Sequence, residues 1–467
     1  MRTTTRVLLP ALLAALAAAP VAAQNDTPGG GTQPVPSDSA KVEAAQTFFA
    51  GAQQIPIQNY RPTDKRGLNM FEAPKNDGVP YDGFKLLLGA AFTQQFQTIG
   101  HSNTAGPKVV GGVDQNALVE IGPGFNNAVA NLYLTAQLAR GISVHMTSYL
   151  SSRHHSETWV KDGFILIDSS PVDVPLLNGI MKYTTLRVGE MELNYGDSHF
   201  RRTDNGNAVY NPFVGNLIMD PFTTEAGAEV YVRSNGFLAM GGITAGQLHP
   251  SVTDPRHRTP SFLGKLGFDR QLTPELRLRL TGSVYTNPHS TEQNLFSGDR
   301  AGSRYYFVME NAAPTSTENA TLRSGMLNPG MNYALTSWVI NPFVKFNGLE
   351  LFGQIEQAHG RARTETENRT WKQYAVDATY RFLPGEPLFV AARYNTVRGP
   401  LAVATPTTPL GGDVGADRWQ ASAGWYITDN ILLKGEYVTQ KYTGYADTSI
   451  FNGGKFNGFI FEGTVAF

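Results

Sequence analysis

The stretch LRLRLTGSVY admits few folds. Leu276, Leu278, Leu280, Gly282 and Val284 fall on one side of an extended strand, and Arg277, Arg279, Thr281 and Ser283 on the other, because successive side chains of a strand point to opposite faces. The same split recurs downstream. Ile431, Leu433, Gly435 and Tyr437 alternate with Lys434, Glu436 and Gln440. Leu388, Val390, Ala392 and Tyr394 alternate with Arg393 and Asn395, and Leu349, Leu351, Gly353 and Ile355 with Glu350, Gln354 and Glu356. A packed soluble core does not accept so many inward cations without dense pairing. The pattern suits a wall between lipid and water, where an arginine at the lipid midplane costs about 2–4 kcal/mol. It predicts an all-β chain forming a transmembrane antiparallel β-barrel with a water-filled interior.

Both chain ends agree with that reading. In the closing segment GFIFEGTVAF, Phe459, Phe461, Gly463 and Val465 alternate with Ile460, Glu462, Thr464 and Ala466, and Phe467 is the last residue. Bacterial outer-membrane barrels close with such a strand, so Phe459, Phe461, Val465 and Phe467 are expected to act as an assembly signal for the barrel-assembly machinery. An edge strand of a soluble sandwich would show the same alternation over this segment alone. At the other end, Arg2 and Arg6 precede an apolar run from Val7 to Ala19, followed by Val-Ala-Ala before Gln24. That is the layout of a secretory signal peptide over residues 1–23. No later segment approaches the ~20 uninterrupted apolar residues of a membrane helix. With no cysteine, acylation, disulfides and thiolate metal sites are excluded. A net charge of -1 argues against a nucleic-acid partner.

The expected organisation has three parts. Residues 1–23 are the signal peptide. Residues 24–82, which include the flexible PGGGTQPVPSDS, are a periplasmic linker and run-in, with 61–82 on the periplasmic side or inside the barrel mouth. Residues 83–467 are the barrel. Its expected strands are 83–97, 125–138, 142–153, 158–168, 183–194, 224–233, 236–247, 261–270, 275–287, 332–346, 349–360, 370–382, 387–398, 416–427, 431–442 and 457–467. That makes about sixteen, an even number as in bacterial barrels. Short gaps such as Arg233-Ser234-Asn235-Gly236, Asn347-Gly348 and Leu383-Pro384-Gly385-Glu386 carry hairpin-turn residues. Long polar gaps alternate with them, as outer loops alternate with periplasmic turns. Both chain ends then lie in the periplasm, and the protein is integral to the bacterial outer membrane.

Several longer pieces, in this order, carry a resemblance: YLSSRHHSETWVKDGFILID, TLRVGEMELNYGDSHFRRTDNG, YNPFVGN, GDRAGSRYY, NPFVKFNGLELFGQIE, GWYITDNILLKGEYVTQKY and GGKFNGFIFEGTVAF. Over about residues 60–467 the chain resembles outer-membrane proteins of the phosphate-selective porin O/P type, in a branch from environmental Gram-negative bacteria. The resemblance implies a sixteen-stranded, porin-like barrel whose third outer loop, here 195–223, folds inward and narrows the pore. It also implies a homotrimer, although no residue here marks an interface. This chain lacks an obvious lysine ladder, so phosphate selectivity is not carried over.

The densest chemistry lies in that loop. Asp197, His199, Arg201, Arg202 and Asp204 are the candidate pore constriction, where opposed charges would set a transverse field and select ions. An ordinary surface loop with weak ion pairs is the plainer reading. The candidate pore-lining residues are Arg277, Arg279, Lys345, Arg381, Arg393 and Lys434, with Glu350, Glu356, Asp377 and Glu436. Their signs balance, so wall charge does not choose an ion. Arg153-His154-His155 reads as a solvated loop tip, because adjacent histidines on a strand point apart; no metal or other cofactor is expected. The Asn-Pro-Phe triplets at 211–213 and 341–343 read as strand ends or bends. No hydrolase elbow or zinc-protease motif is present, so no enzyme is expected. Three functions remain. One is an outer-membrane porin, a passive diffusion channel for small hydrophilic solutes or ions. The second is a substrate-specific channel or transporter, with 288–331 and the N-terminal segment as plug or lid. The third is a non-conducting surface barrel, an adhesin or structural protein.

Overall fold

In the computed structural model of the protein, residues 56–126, 128–151, 158–203, 205–247, 252–290, 292–296, 305–312, 324–403 and 411–467 are described. The expected signal peptide, most of the linker, His154, His155 and Asp204 lie outside them. Sixteen long strands build the barrel. They are β1 (Lys85–Ser102), β2 (Val129–Ala139), β3 (Ile142–Ser151), β4 (Thr158–Ile167), β5 (Thr184–Glu192), β6 (Thr224–Ser234), β7 (Phe237–Thr244) and β8 (Ser261–Gln271). They continue as β9 (Leu276–Asn287), β10 (Ala334–Phe346), β11 (Leu349–Arg361), β12 (Arg369–Phe382), β13 (Leu388–Pro400), β14 (Asp413–Thr428), β15 (Ile431–Thr443) and β16 (Lys455–Ala466). Each pairs with its neighbour in the chain, and β1 closes on β16 from Ala91↔Ala466 to Ser102↔Lys455. Closure leaves no unpaired sheet edge, which hydrocarbon cannot satisfy. This is the architecture of a bacterial outer-membrane barrel.

The alternation of the sequence becomes the two sides of the wall. On β9, Leu280 and Val284 are exposed on the outside, whereas Arg279, Thr281, Ser283 and Tyr285 are buried inside. On β16, Phe459, Phe461, Val465 and Phe467 are exposed, and Ile460, Glu462, Thr464 and Ala466 are buried. Short connections gather at one end together with the start of β1 and the end of β16. Asn235 (φ 51°) with Gly236 (φ 88°), and Asn347 (φ 49°) before Gly348, make two of these turns. Asn and Gly accept positive φ at little cost. The longest connection at that end, between β4 and β5, carries a short helix, Pro175–Met181.

Two local expectations differ from the structure. β1 runs five residues past the expected end at 97, because its polar tail 98–102 keeps pairing with 455–459 of β16. Pro342 is inside β10, not at a strand end or bend. It cannot donate to β11, and the ladder skips it between Ile340↔Ile355 and Phe343↔Phe352. The Asn341 amide nitrogen donates instead to the Gly353 carbonyl at 3.0 Å. A Cβ on Gly353 would stand 2.8 Å from the Pro342 ring, so glycine makes the room.

Much of the interior is filled. Near the long-connection end, Ile218, Met219, Tyr305, Val308, Met309 and Leu327 pack with the inward Leu335, Val339, Val397, Val438 and Ile460 as one apolar cluster. A second and a third cluster lie around Phe213, Phe389 and Tyr426, and around Phe71, Phe343 and Phe352.

The seam gives a direct test. The Phe467 N–H donates to the Ala90 carbonyl, and its own carbonyl accepts from the Ala90 N–H, both at 2.9 Å. Deleting Phe467 removes this last rung together with an outward aromatic. We expect a lower yield of barrel with heat-modifiable gel mobility; assembly at wild-type yield would overturn the expectation.

Candidate functional site

Besides the described parts of the β9–β10 connection, whose Tyr305 and Leu327 join the interior cluster, two segments enter the space that the strands enclose. The first is the connection between β5 and β6, residues 193–223. Its backbone is fastened to inward side chains along half of the wall. The Gly196 N–H donates to Ser283 Oγ (3.1 Å) on β9, and the Asp197 N–H to Asn341 Oδ1 (2.8 Å) on β10. The Met219 N–H reaches Gln373 on β12, and the Ile218 N–H reaches Asn395 on β13. Arg418 on β14 donates to the Asn216 carbonyl, and the Val214 N–H donates to Glu436 on β15. Lys434 Nζ, also on β15, donates to the carbonyls of Ala208, Asn211 and Phe213, each at 2.9 Å. A coil segment carries many backbone groups that burial would leave unpaired. The inward Asn, Gln, Glu, Arg and Lys supply the partners.

The second segment is residues 56–77, which the sequence places in the run-in. The Tyr210 hydroxyl donates to the Pro62 carbonyl, and the Arg61 guanidinium lies 4.2 Å from the Tyr210 ring centre. Asn69 bonds to Glu350 and accepts from Arg201 (2.5 Å). Phe71 meets Phe343 edge-on at 5.4 Å. Lys75 reaches Asp168 at 2.9 Å.

One charge cluster ties both segments to the wall. Asp197 accepts from Arg279 (2.8 Å) and lies 2.7 Å from Lys265. Glu72 meets the same two cations at 2.8 and 3.3 Å. Asp269 bridges Arg277 (2.7 Å) and Arg279 (3.0 Å). Burial opposes ionisation of Asp197, but Lys265 and Arg279 outweigh it and hold its carboxyl at about 2. Burial likewise opposes ionisation of Glu72, and Arg279 and Lys265 together hold its carboxyl well below the usual range. Burial, then Lys265, pushes His199 well below its ordinary value, so its ring is neutral at neutral pH.

The candidate constriction residues Asp197, His199, Arg201 and Arg202 are all buried. The expected projection of charge into narrow water is replaced by packing. Arg201 sits over Phe343 and Phe352, 3.7 Å from Glu350. Arg202 stacks at 3.8 Å on Phe222, with Asp220 3.6 Å away. His199 bonds to Asn194 (3.0 Å).

The expected wetted charges of the wall are covered as well. Arg279, Arg381, Arg393, Lys434, Glu350, Glu356, Asp377 and Glu436 face inward and are buried. Pairing accounts for most of them: Arg393–Asp377 at 2.6 Å, Arg381–Glu350 at 2.7 Å, Lys434–Glu462 at 2.7 Å. Glu356 instead accepts from Gln354 (2.8 Å) and Gln373 (2.9 Å), and Glu436 from Tyr305 (2.9 Å) and Gln420 (3.0 Å). Arg277 and Lys345, at the short-turn end, keep 24% and 25% of their side-chain surface exposed. Glu72, Asn69 and Arg61 were not legible as site residues, because the run-in has no strand alternation to assign them a side.

A different stretch of wall stays partly open. The inward side chains Tyr133, His145, Asp162, Phe164, Arg187 and Arg233 on β2–β6 are only partly buried. A cavity of about 170 Å³ lies among β3–β6, the start of the 193–223 connection and the N-terminal segment. A wider vestibule of about 470 Å³ at the short-turn end shares Glu72 and Arg233 with it. The vestibule is lined by Lys75, Lys182, Arg233, Arg277 and Arg279 against the two carboxylates Glu72 and Asp269.

No family model matches the chain, and no curated protein matches its sequence. Solved structures share its fold. An anion-selective porin from Comamonas acidovorans is 12% identical, with 82% of this chain and 100% of that chain covered and a TM-score of 0.50. OmpT, an outer membrane protein of Vibrio cholerae, is 8% identical over 83% of this chain and 99% of that chain, with a TM-score of 0.49. The outer membrane channel DcaP of Acinetobacter baumannii is 10% identical over 84% and 99%, with a TM-score of 0.47. The first of these shows a porin-like barrel fold.

Asp197→Asn tests the charge cluster. Removing one member of a buried ion pair leaves its partners uncompensated, at a cost of about 3–5 kcal/mol. We expect the denaturant midpoint of the folded barrel to fall accordingly; an unchanged midpoint would show that the cluster does not anchor the connection.

Proposed function

We propose that the protein is an outer-membrane channel for small hydrophilic solutes or ions, with the 193–223 connection as its constricting inward loop. The observation that carries this reading is the asymmetry of the interior. Inward side chains of β9–β15 are covered at mid-height, whereas on β2–β6 Tyr133, His145, Asp162, Phe164, Arg187 and Arg233 keep part of their surface exposed among buried neighbours such as Asn131, Thr147 and Glu229. Solutes would pass between the loop and the β2–β6 wall. Asp197, His199, Arg201 and Arg202 hold the loop on this reading, and field-setting falls to the partly exposed charges Arg187, Arg233 and Asp162. The order of motifs along the chain favours a place beside the phosphate-selective porin O/P type, without phosphate selectivity. Residues 1–23 would direct export, the closing strand would engage the barrel-assembly machinery, and any trimer contact would use the apolar outer wall.

A second reading has its own support. The extent of internal packing, with residues 56–77 bonded to the wall at the short-turn end, favours a substrate-specific channel over a wide passive pore. The N-terminal segment would then be a plug.

Conductance of purified protein in planar bilayers is the deciding experiment. We expect small, discrete channels from the full chain. Deleting residues 56–77 should raise the single-channel conductance. Equal conductance with and without the segment would remove the plug reading. No conductance from either form would favour a non-conducting surface barrel. Replacing Arg201 and Arg202 together by alanine should make the open level noisier, through a loosened loop, while leaving the reversal potential in a salt gradient nearly unchanged. A large shift of that potential would return these arginines to the permeation path.

A further inference from the structure

The cavity of about 170 Å³ is lined by Arg61, Arg187 and Arg233 together with Tyr60, Phe164 and Tyr231. Each of the three arginines has a buried Nε–H with no hydrogen-bond partner among the described residues. Buried polar groups are nearly always paired, so an unpaired one calls for an explanation. Three such donors on one small cavity point to a missing acceptor.

The charge points the same way. Arg187 is paired with Glu229 at 3.2 Å. Among the described residues, Arg61 and Arg233 bond only to neutral oxygens: the Gly67 and Phe200 carbonyls for Arg61, the Ala73 carbonyl and the Thr185 hydroxyl for Arg233. Of the two acids in the lining, Glu72 is paired with Arg279 and Lys265, and Asp168 is paired with Lys75 through Oδ1, its Oδ2 remaining without a hydrogen-bond partner among the described residues. Among the described residues, these two guanidinium groups therefore form no ion pair. The vestibule that shares Arg233 with the cavity is itself rich in cations, a field that draws anions inward.

The remaining lining is flat and aromatic. His145 stacks on Phe164 with ring centres 5.0 Å apart and planes 15° apart, and the Arg187 guanidinium lies 4.2 Å from the Phe164 ring centre. Those contacts cover Phe164 and leave Tyr60, Phe200 and Tyr231 as the remaining aromatic lining, which a tetrahedral anion such as phosphate, held by the arginines, would not use. A planar carboxylate would use both, because guanidinium donors match carboxylate oxygens in a fork and aromatic faces accept a stacked ring. We propose that this cavity is a binding subsite for small aromatic carboxylates. The proposal deepens the channel reading by naming a solute class, and rests on it for its role in transport.

Calorimetric titration of the folded, detergent-solubilised full chain with benzoate tests the site without measuring conductance. We expect saturable single-site binding of benzoate, no binding of neutral benzamide, and weaker binding of both cyclohexanecarboxylate and inorganic phosphate. Arg61→Gln with Arg233→Gln should weaken benzoate binding by about tenfold or more, with heat-modifiable mobility retained as evidence of folding. If that variant does not fold, the ligand comparison on the unmodified chain decides. No saturable benzoate binding, equal binding of benzamide or phosphate, or undiminished binding by a folded double variant would overturn the proposal. A chain that conducts without binding benzoate loses the subsite and keeps the channel. A chain that binds benzoate without conducting keeps the subsite and loses the channel.

Discussion

Where β1 meets β16, Ala90 and Phe467 exchange two hydrogen bonds, and the pairing continues to Ser102 and Lys455. Without that seam the sheet would present two free edges to a medium with no water to satisfy them. With it, every strand has two neighbours, and each strand's side chains are sorted between lipid and lumen. The sorting is strict because a slip of one residue would place Arg279, Arg393 and Lys434 in hydrocarbon. The seam therefore settles which chemistry is available inside: everything polar that the strands carry is delivered to one enclosed volume.

What happens in that volume is a problem of satisfaction. Inward Asn, Gln, Arg and Lys side chains are expensive if dehydrated alone and cheap if paired. The 193–223 connection and residues 56–77 bring unpaired carbonyls and N–H groups of their own. Each solves the other's deficit, as where Lys434 collects three loop carbonyls and Asn341 takes the Asp197 N–H. Arg279 and Lys265 bind one carboxylate from each segment, so the two fillings are coupled through the same pair of cations. This coupling makes the covered half of the barrel a single packed unit.

Asn341 and Pro342 show how local chemistry serves that packing. A proline inside a central strand removes a ladder donor. The neighbouring asparagine replaces it toward Gly353 and at the same time anchors the inward loop. A triplet that reads as a strand end is instead a place where the wall gives up a rung to hold its filling.

Period-two alternation, the spacing of turn residues and the mostly apolar outer face are properties of short stretches, and from them the sequence alone determined the sixteen strands, the side on which Arg279, Lys434 or Leu280 would stand, and the closing role of the last strand. Those signals are local, and each strand repeats them. The state of the interior is not local. Arg279 faces inward in any barrel, but whether it meets water or Asp197 and Glu72 depends on segments 82 and 207 residues away in the chain. Residues 56–77 carry no periodicity, so the sequence allows them a place at the barrel mouth without assigning any of their side chains a partner. The cavity among Arg61, Arg187 and Arg233 joins one coil residue to two strands and exists only once the coil is docked. Tertiary structure decided these points because pairing energies inside a closed, low-dielectric volume depend on which distant partner arrives, and alternation along a strand carries no information about that.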